Sequence, residues 1–261
     1  PDDLRSLMDA LRSSFAFAAD ASISVEIDPN DMDEPKLDAL AAIGLTRASL
    51  GIQDFDERVQ KAINREQSFE ATRAVVDGLR NRGVGSVNLD MLYGLPHQTC
   101  DSLATTAGKV LSLHPDRIAL FGYAHVPWFK KHQTMIDEAA LPDSSGRLAQ
   151  YELAAGLIEW AGYVPIGLDH FALPGDTLAA AAGAGRLRRN FQGYTTDTAD
   201  ALIGFGASAI GRLPQGYAQN SPDAHGYETA IIEGRLPVAR GHVFSDEDRL
   251  RAMLIERLMC D

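Results

Sequence analysis

Gly85 to Pro96, GSVNLDMLYGLP, has two faces of opposite character. Val87, Leu89 and Met91 alternate with Ser86, Asn88 and Asp90, and the run breaks at the loop formers Gly94 and Pro96, so it reads as a strand ending in a loop. Two earlier runs divide the same way. Ile23, Val25 and Ile27 oppose Ser24, Glu26 and Asp28, and Ala48, Leu50 and Ile52 oppose Arg47, Ser49, Gly51 and Gln53. Three strands therefore share one apolar and one polar face.

Helical patterns lie between these strands, which predicts a parallel sheet with crossover helices. The usual closed α/β barrel fills its interior with Val, Ile and Leu. Here the apolar side chains would face the outer helices, and Glu26, Gln53, Asn88 and Asp90 would project inward near the strands' C-terminal ends. Carboxylates buried that way are costly unless something pairs with them. A two-sided core with a few satisfied polar groups would explain any one strand; three in a row favour a polar, ligand-holding cavity.

At 261 residues the chain can bury a core as one barrel-sized domain, or one domain plus part of another. Hydrophobic residues make up 45% and no apolar run approaches membrane-spanning length, so a soluble globular chain is expected. Lys+Arg 24 against Asp+Glu 36 gives a formal net charge of -12, which argues against nucleic acid and anionic membranes as partners, although a local basic cluster can still take an anionic small molecule. Cys100 and Cys260 are the two cysteines; they form no disulfide framework and no CxxC spacing, which fits a reducing cytoplasm. The histidines show no HxxxH or HExxH spacing, so no zinc site is expected. The chain opens on Pro1, and its last segment, Ser245 to Asp261, carries a capping box (Ser245, Asp248) and an apolar stripe of Leu250, Met253, Leu254 and Leu258. A stripe of that kind normally has a cover, so the chain is expected to be a piece of a longer protein.

In order, the pattern predicts a helix over residues 2–17, the strand Ile23 to Ile27, a helix from Glu34 to Ile43, the strand Arg47 to Gln53, helices near Asp56 to Ile63 and Phe69 to Asn81, the central strand, and a helix around Cys100 to Ser112. Strand four is Arg117 to Tyr123. A long insert with Lys130, Lys131 and His132 leads to a helix at Ser145 to Ala161, then strand five from Tyr163 to Leu168 and a possible strand from Ala201 to Gly206.

Several motifs admit two readings. Glu26 suits a ligand's ammonium or hydroxyl groups or a cross-strand pair; Asp28 suits the same ligand or a helix N-cap. Arg65, in the turn Asn64-Arg65-Glu66-Gln67, can clamp a carboxylate or stay solvated. Arg186, Arg188 and Arg189 form a local positive site for carboxylates, or a solvated end paired with Asp197 and Asp200. Gly204-Phe205-Gly206 with Ala209 matches only the weak form of a dinucleotide fingerprint, and it lies late in the strand series. His125 and His170 fall at strand ends, where barrel chemistry is placed.

Taken together, Glu26-Ile27-Asp28-Pro29, Gly51-Ile52-Gln53-Asp54-Phe55, Val59-Gln60 with Asn64-Arg65-Glu66-Gln67, Asn88-Leu89-Asp90 with Tyr93-Gly94-Leu95-Pro96, Tyr123-Ala124-His125, Asp169-His170-Phe171, Asn190 to Thr196 and Tyr217-Ala218-Gln219-Asn220 closely resemble the oxygen-independent coproporphyrinogen III oxidases (coproporphyrinogen dehydrogenases), radical S-adenosylmethionine enzymes of haem synthesis. The resemblance runs in order over essentially the whole chain. It implies an α/β fold, a partial (β/α) barrel of radical SAM type over 1–211 that lacks its first unit or units and its cluster loop, with 212–261 a connector and the first helix of a helical C-terminal domain. It further implies a [4Fe-4S] cluster and two adenosylmethionine molecules. By matching positions, Glu26 and Ile210 contact the one beside the cluster, Gln53, Arg65, Asp90 and Ala124 contact the second, and Phe191 and Gln192 lie close to both. A 5'-deoxyadenosyl radical then takes hydrogen from a propionate of coproporphyrinogen III, and loss of carbon dioxide and an electron leaves a vinyl group, twice per protoporphyrinogen IX. The implied partners are this tetrapyrrole and an electron donor and acceptor; a cytoplasmic monomer is expected. Arg186, Arg188 and Arg189 are candidate propionate partners. The chain departs from the pattern in lacking the three-cysteine motif and the Gly-rich loop, so no metal ligand is assigned in it, no catalytic residue is named, and it is expected to be inert by itself. The rival is a related haem-trafficking protein of the same superfamily, against which Asn64-Arg65-Glu66-Gln67 and Asn190-Phe191-Gln192-Gly193-Tyr194 speak.

Overall fold

The computed structural model describes residues 1–190 and 193–260. It divides into two compact units, Pro1–Ala180 and Ala181–Asp261. Residues 181–211, which the sequence groups with the barrel, thus cluster with the C-terminal segment.

In the first unit, α1 (Asp2–Ser14) ends three residues before the expected bound; it is followed by β1 (Ser24–Ile27), α2 (Glu34–Ala42), β2 (Arg47–Gln53), α3 (Glu57–Ala62), α4 (Phe69–Asn81), β3 (Ser86–Tyr93), α5 (Cys100–Ser112), β4 (Arg117–Gly122), α6 (Ser144–Trp160), β5 (Val164–Ile166) and β6 (His170–Ala172), with α7 (Thr177–Gly183) crossing the boundary. The strands lie in the order β1-β2-β3-β4-β6-β5 in an open sheet, the first four parallel. The caps explain the helix starts. Asp33, Asp56, Ser68, Thr99 and Asp143 each accept a backbone N–H of the following first turn through the side chain.

The period-two alternation does what the sequence demands. Ile27, Ala48, Leu50, Ile52, Val87, Leu89, Met91, Ile118 and Leu120 are buried, and they form one cluster with Leu37 and Leu40 of α2, Val75, Val76 and Leu79 of α4, and Leu103, Ala107 and Val110 of α5. The opposite face carries Glu26, Ser49, Gly51, Asn88, Asp90 and Arg117, none of which belongs to that cluster.

Strand five differs from expectation. Gly167, at φ +58°, reverses the chain after Ile166, so Asp169-His170-Phe171 does not trail off the strand but begins a return strand. That return strand, β6, is antiparallel to both β4 and β5 and lies between them.

In the second unit β7 (Arg188–Asn190) pairs antiparallel with β8 (Gly193–Thr195), and β9 (Ile210–Leu213), β10 (Gly216–Asn220) and β11 (Val238–Val243) form a second antiparallel sheet in the order β11-β10-β9, accompanied by α8 (Ala224–Ile232) and α9 (Asp246–Cys260). The expected strand at Ala201 to Gly206 is not one: a single bridge joins Leu202 to Arg212. Gly206 at φ +95° leaves the ladder, and the Asn220 amide Nδ2 donates instead to the carbonyls of Gly204 and Gly206. The capping box at Ser245 and Asp248 forms, and Leu250, Met253, Leu254 and Leu258 are exposed along α9.

Candidate functional site

Register brings the polar residues into rows. Glu26, Ser49, Asn88 and Arg117 are successive partners across β1 to β4, and one pair further along the next row runs Gly51, Asp90, Ala119 and His170. Because partners in register share a face, these side chains gather over one side of the sheet. Asn88 Nδ2 donates to Ser49 Oγ at 2.9 Å and to Asp90 Oδ1 at 2.6 Å, and Ser49 Oγ donates to Asp90 Oδ2 at 3.2 Å. Burial pushes the Asp90 carboxyl above its ordinary range; the donors Asn88 and Ser49 and the nearby His170 work against that shift, while the Glu26 charge adds to it. Glu26 itself is exposed, on the sheet's end strand, where it helps line a cavity of about 280 Å³ with Asp28, Val25 and Met32.

Gln53 reaches the same place by a break in the strand. The β2–β3 register shifts between Gly51 and Gln53, and Gln53 has φ +64°, the left-handed region a bulge provides. Asn64, at φ +52°, turns the chain after α3, and Gln60 fastens the following loop by bonds to both the N–H and the carbonyl of Gln67. The Arg65 side chain is thereby carried back to the strand end, with Nη2 3.0 Å from Asp28 Oδ2 and 3.3 Å from the Gly51 carbonyl. Asp28 also caps locally, accepting from Asn30 N at 3.0 Å, which is its N-cap reading. A Cβ on Gly51 would lie 2.7 Å from Gln53 Nε2 and 3.1 Å from Arg65 Nη2. Only a glycine lets the amide and the guanidinium come down on the strand here.

Adenosylmethionine carries an ammonium, a carboxylate and ribose hydroxyls, and the first unit offers complementary groups: Glu26 and Asp90, Arg65, and the amides of Gln53 and Asn88. Asn88 Oδ1 and Arg65 Nε are buried without a hydrogen-bond partner among the described residues. Buried polar atoms are ordinarily satisfied, so two orphans beside this carboxylate cluster fit a polar ligand. A [4Fe-4S] cluster does not fit the residues present: it needs thiolates, Cys100 and Cys260 lie in different units, and no group of three His, Cys, Asp or Glu among the described residues is placed to hold a metal ion.

Of the other predicted residues, Ala124 follows β4 and its carbonyl accepts from Gln133 Nε2 at 3.0 Å. Ile210 opens β9 in the second unit and is exposed. Phe191 and Gln192 lie outside the described residues. Arg186 and Arg188 are exposed, and Arg189, adjacent to Arg188 on β7, faces the other way with its guanidinium over the Tyr194 ring at 4.8 Å. His125 bridges Tyr123 Oη and Glu138 at 3.1 Å each.

The sequence reading missed the roles of Ser49, Gly51 and His170, although the polar spacing of the first and the strand-end place of the last were visible. It also missed Asp54. Fully buried, Asp54 accepts from Asp56 N at 2.7 Å, Thr106 Oγ1 at 2.7 Å and Gln98 Nε2 at 2.5 Å, and burial raises its pKa. It fastens the end of β2 to α5, and nothing in the letters distinguishes it from a solvated loop carboxylate.

Comparison with known proteins agrees with this geometry. The model of the radical SAM superfamily matches residues 1–110. An oxygen-independent coproporphyrinogen III oxidase of Paracoccus denitrificans is 55% identical over 258 residues, 99% of this chain and 57% of the relative, and one of Pseudomonas aeruginosa is 43% identical over 262 residues, again 57% of the relative. The chain thus spans little more than half the length of these curated relatives. The solved structure of coproporphyrinogen III oxidase from Escherichia coli, described as a radical SAM enzyme, superposes with a TM-score of 0.94 at 41% identity, covering 98% of this chain and 59% of that one. Among the described residues no helix is long and apolar enough to cross a membrane. With the polar rows of β1 to β3 in place, residues 1–110 match the radical SAM superfamily, and the chain along its whole length is similar to oxygen-independent coproporphyrinogen III oxidases over little more than half of theirs.

Proposed function

We propose that the protein carrying this chain converts two propionates of coproporphyrinogen III to vinyl groups, giving protoporphyrinogen IX. The observation that carries the reading is the convergence of Glu26, Ser49, Asn88 and Asp90 on one face of the sheet, with Gln53 and Arg65 above Gly51. In this reading two adenosylmethionine molecules bind: Glu26 and Ile210 contact one, Gln53, Arg65, Asp90 and Ala124 the other, and Phe191 and Gln192 stand near both. The carboxylates accept from ammonium and hydroxyl groups, and Arg65 takes a carboxylate in the paired geometry guanidinium favours. Adenosylmethionine supplies the oxidising radical; the chain's part is to bind, orient and keep water from the reacting groups. Arg186, Arg188 and Arg189 serve as propionate partners. The functional division falls at 211/212, the protein works as a cytoplasmic monomer, and the released electron passes to an acceptor outside it.

The test is anaerobic reconstitution of the full-length protein with iron, sulfide and adenosylmethionine. Consumption of coproporphyrinogen with formation of protoporphyrinogen is expected; tight haem binding without turnover would replace the oxidase reading by the trafficking one.

A further inference from the structure

Between β4 and α6 the chain carries Trp128, Phe129, Lys130, Lys131, His132 and Met135 on one short segment. Trp128 is 82%, Phe129 75% and Met135 78% exposed. Three large apolar side chains so fully in water within eight positions are unusual for a chain that gains nothing by exposing them. Nor is the segment loose. The N–H groups of Phe129 and Lys130 both donate to the Val126 carbonyl at 2.9 and 2.8 Å, a 3-10 turn covers Lys131–Met135, and Thr134 Oγ1 donates to the Lys131 carbonyl at 2.8 Å. Gln133 pins the turn to the strand end, accepting from Val126 N at 2.6 Å and donating to the Ala124 carbonyl at 3.0 Å. The exposed rings are thus held on an ordered platform tied to Ala124, a residue of the proposed cofactor site.

The chemistry of the platform is selective. Lys130 Nζ lies 5.4 Å from the centroid of the Phe129 ring, so cation and aromatic plane are presented together, and Lys131 and His132 follow. On a chain of formal net charge -12 such a local run of cations stands against the prevailing field. Aromatic planes beside ammonium groups match a ligand made of π-rich rings with carboxylates at its rim. A nucleic acid would need a far broader basic surface.

We propose that the segment Trp128–Met135 is a docking platform for the tetrapyrrole, its rings packing against Trp128 and Phe129 and its propionates meeting Lys130 and Lys131. This rests on the oxidase reading and deepens it, since it places the substrate's entry beside the C-terminal end of β4. No single lysine would dominate, because exposed ion pairs are individually weak; the rings and cations act together.

The experiment titrates the full-length protein with coproporphyrin III, the fluorescent oxidised form of the substrate. Trp128→Ala with Phe129→Ala, and separately Lys130→Gln with Lys131→Gln, should each raise Kd about tenfold. Adenosylmethionine binding by equilibrium dialysis and the melting temperature should stay at the parent values, and Trp128→Phe with Lys130→Arg should restore porphyrin affinity. Unchanged porphyrin affinity in both double variants, with the parent enzyme active, overturns the platform and leaves the oxidase reading standing. A parent that neither binds coproporphyrin III nor converts coproporphyrinogen overturns both. If the variants instead lose co-sedimentation with phosphatidylserine vesicles while keeping porphyrin affinity, the segment is a membrane contact and the platform is likewise overturned.

Discussion

Asp90 shows the cost of burying a carboxylate. Burial raises its pKa although Asn88 and Ser49 donate to it. A carboxyl whose pKa is higher folded than unfolded favours the native state below the unfolded value, about 3.9, and that contribution is lost as pH rises through the folded value. Asp90→Asn removes the penalty of the charged form. Its melting temperature should therefore gain on the parent as pH climbs from about 4 towards neutrality, while adenosylmethionine affinity falls by about tenfold or more; calorimetric scans at several pH values and dialysis check the two halves. Gly51→Ala tests the neighbouring feature. The added methyl meets the mobile ends of Gln53 and Arg65 and no backbone, so stability should shift by less than about 1 kcal/mol while ligand affinity drops as those two side chains are pushed off the strand. Asn88 and Asp90 were legible at this scale because a polar residue at every second position of an apolar strand has few other uses. Gln53 was placed on the polar face by the same alternation, but its left-handed backbone leaves no mark in the sequence.

Between elements, two buried polar links fix the sheet. Arg117 meets Asp176 through two bonds, Nη2 to Oδ1 at 2.8 Å and Nε to Oδ2 at 2.9 Å, with both side chains only 8% exposed, and the same guanidinium donates to Thr177 Oγ1. Removing one partner strands a buried charge, so Asp176→Ala should cost about 3–5 kcal/mol in urea denaturation. Thr106→Val deletes a donor to Asp54 and the acceptor of Phe55 N while keeping volume; a loss of about 1–3 kcal/mol is expected by the same measurement. The helices were legible from their apolar stripes, and in the structure Asp56 and Ser68 cap the starts of α3 and α4. The return of β6 was not, since Gly167 followed by Leu168 resembles an ordinary strand end. Ala201 to Gly206 misled for the opposite reason: its alternation is that of a strand, but the pairing groups of Gly204 and Gly206 go to an asparagine amide.

At the level of the molecule, the parallel series of the first unit carries its polar residues on one face, from Ser49 and Asn88 in the first halves of β2 and β3 to Gln53 at the end of β2. Saturating adenosylmethionine at about 100 times Kd should add about 2.7 kcal/mol to stability, and hydrogen exchange should slow at residues 51–53 and 88–93 and not in α4. Uniform slowing, or none, would remove the ligand from this face. The parallel order of β1 to β4 followed from alternating strand and helix patterns; the rows that join Glu26 to Asn88 did not, because register is set by loop lengths and packing. The left-handed step at Gln53 has a wider consequence. It turns Gln53 back over Gly51 and delivers the next residue, Asp54, into the structural anchor on α5. Under the proposed function, recognition and cohesion share a single hinge of main chain, so a substitution that stiffens that spot should blunt affinity along with it.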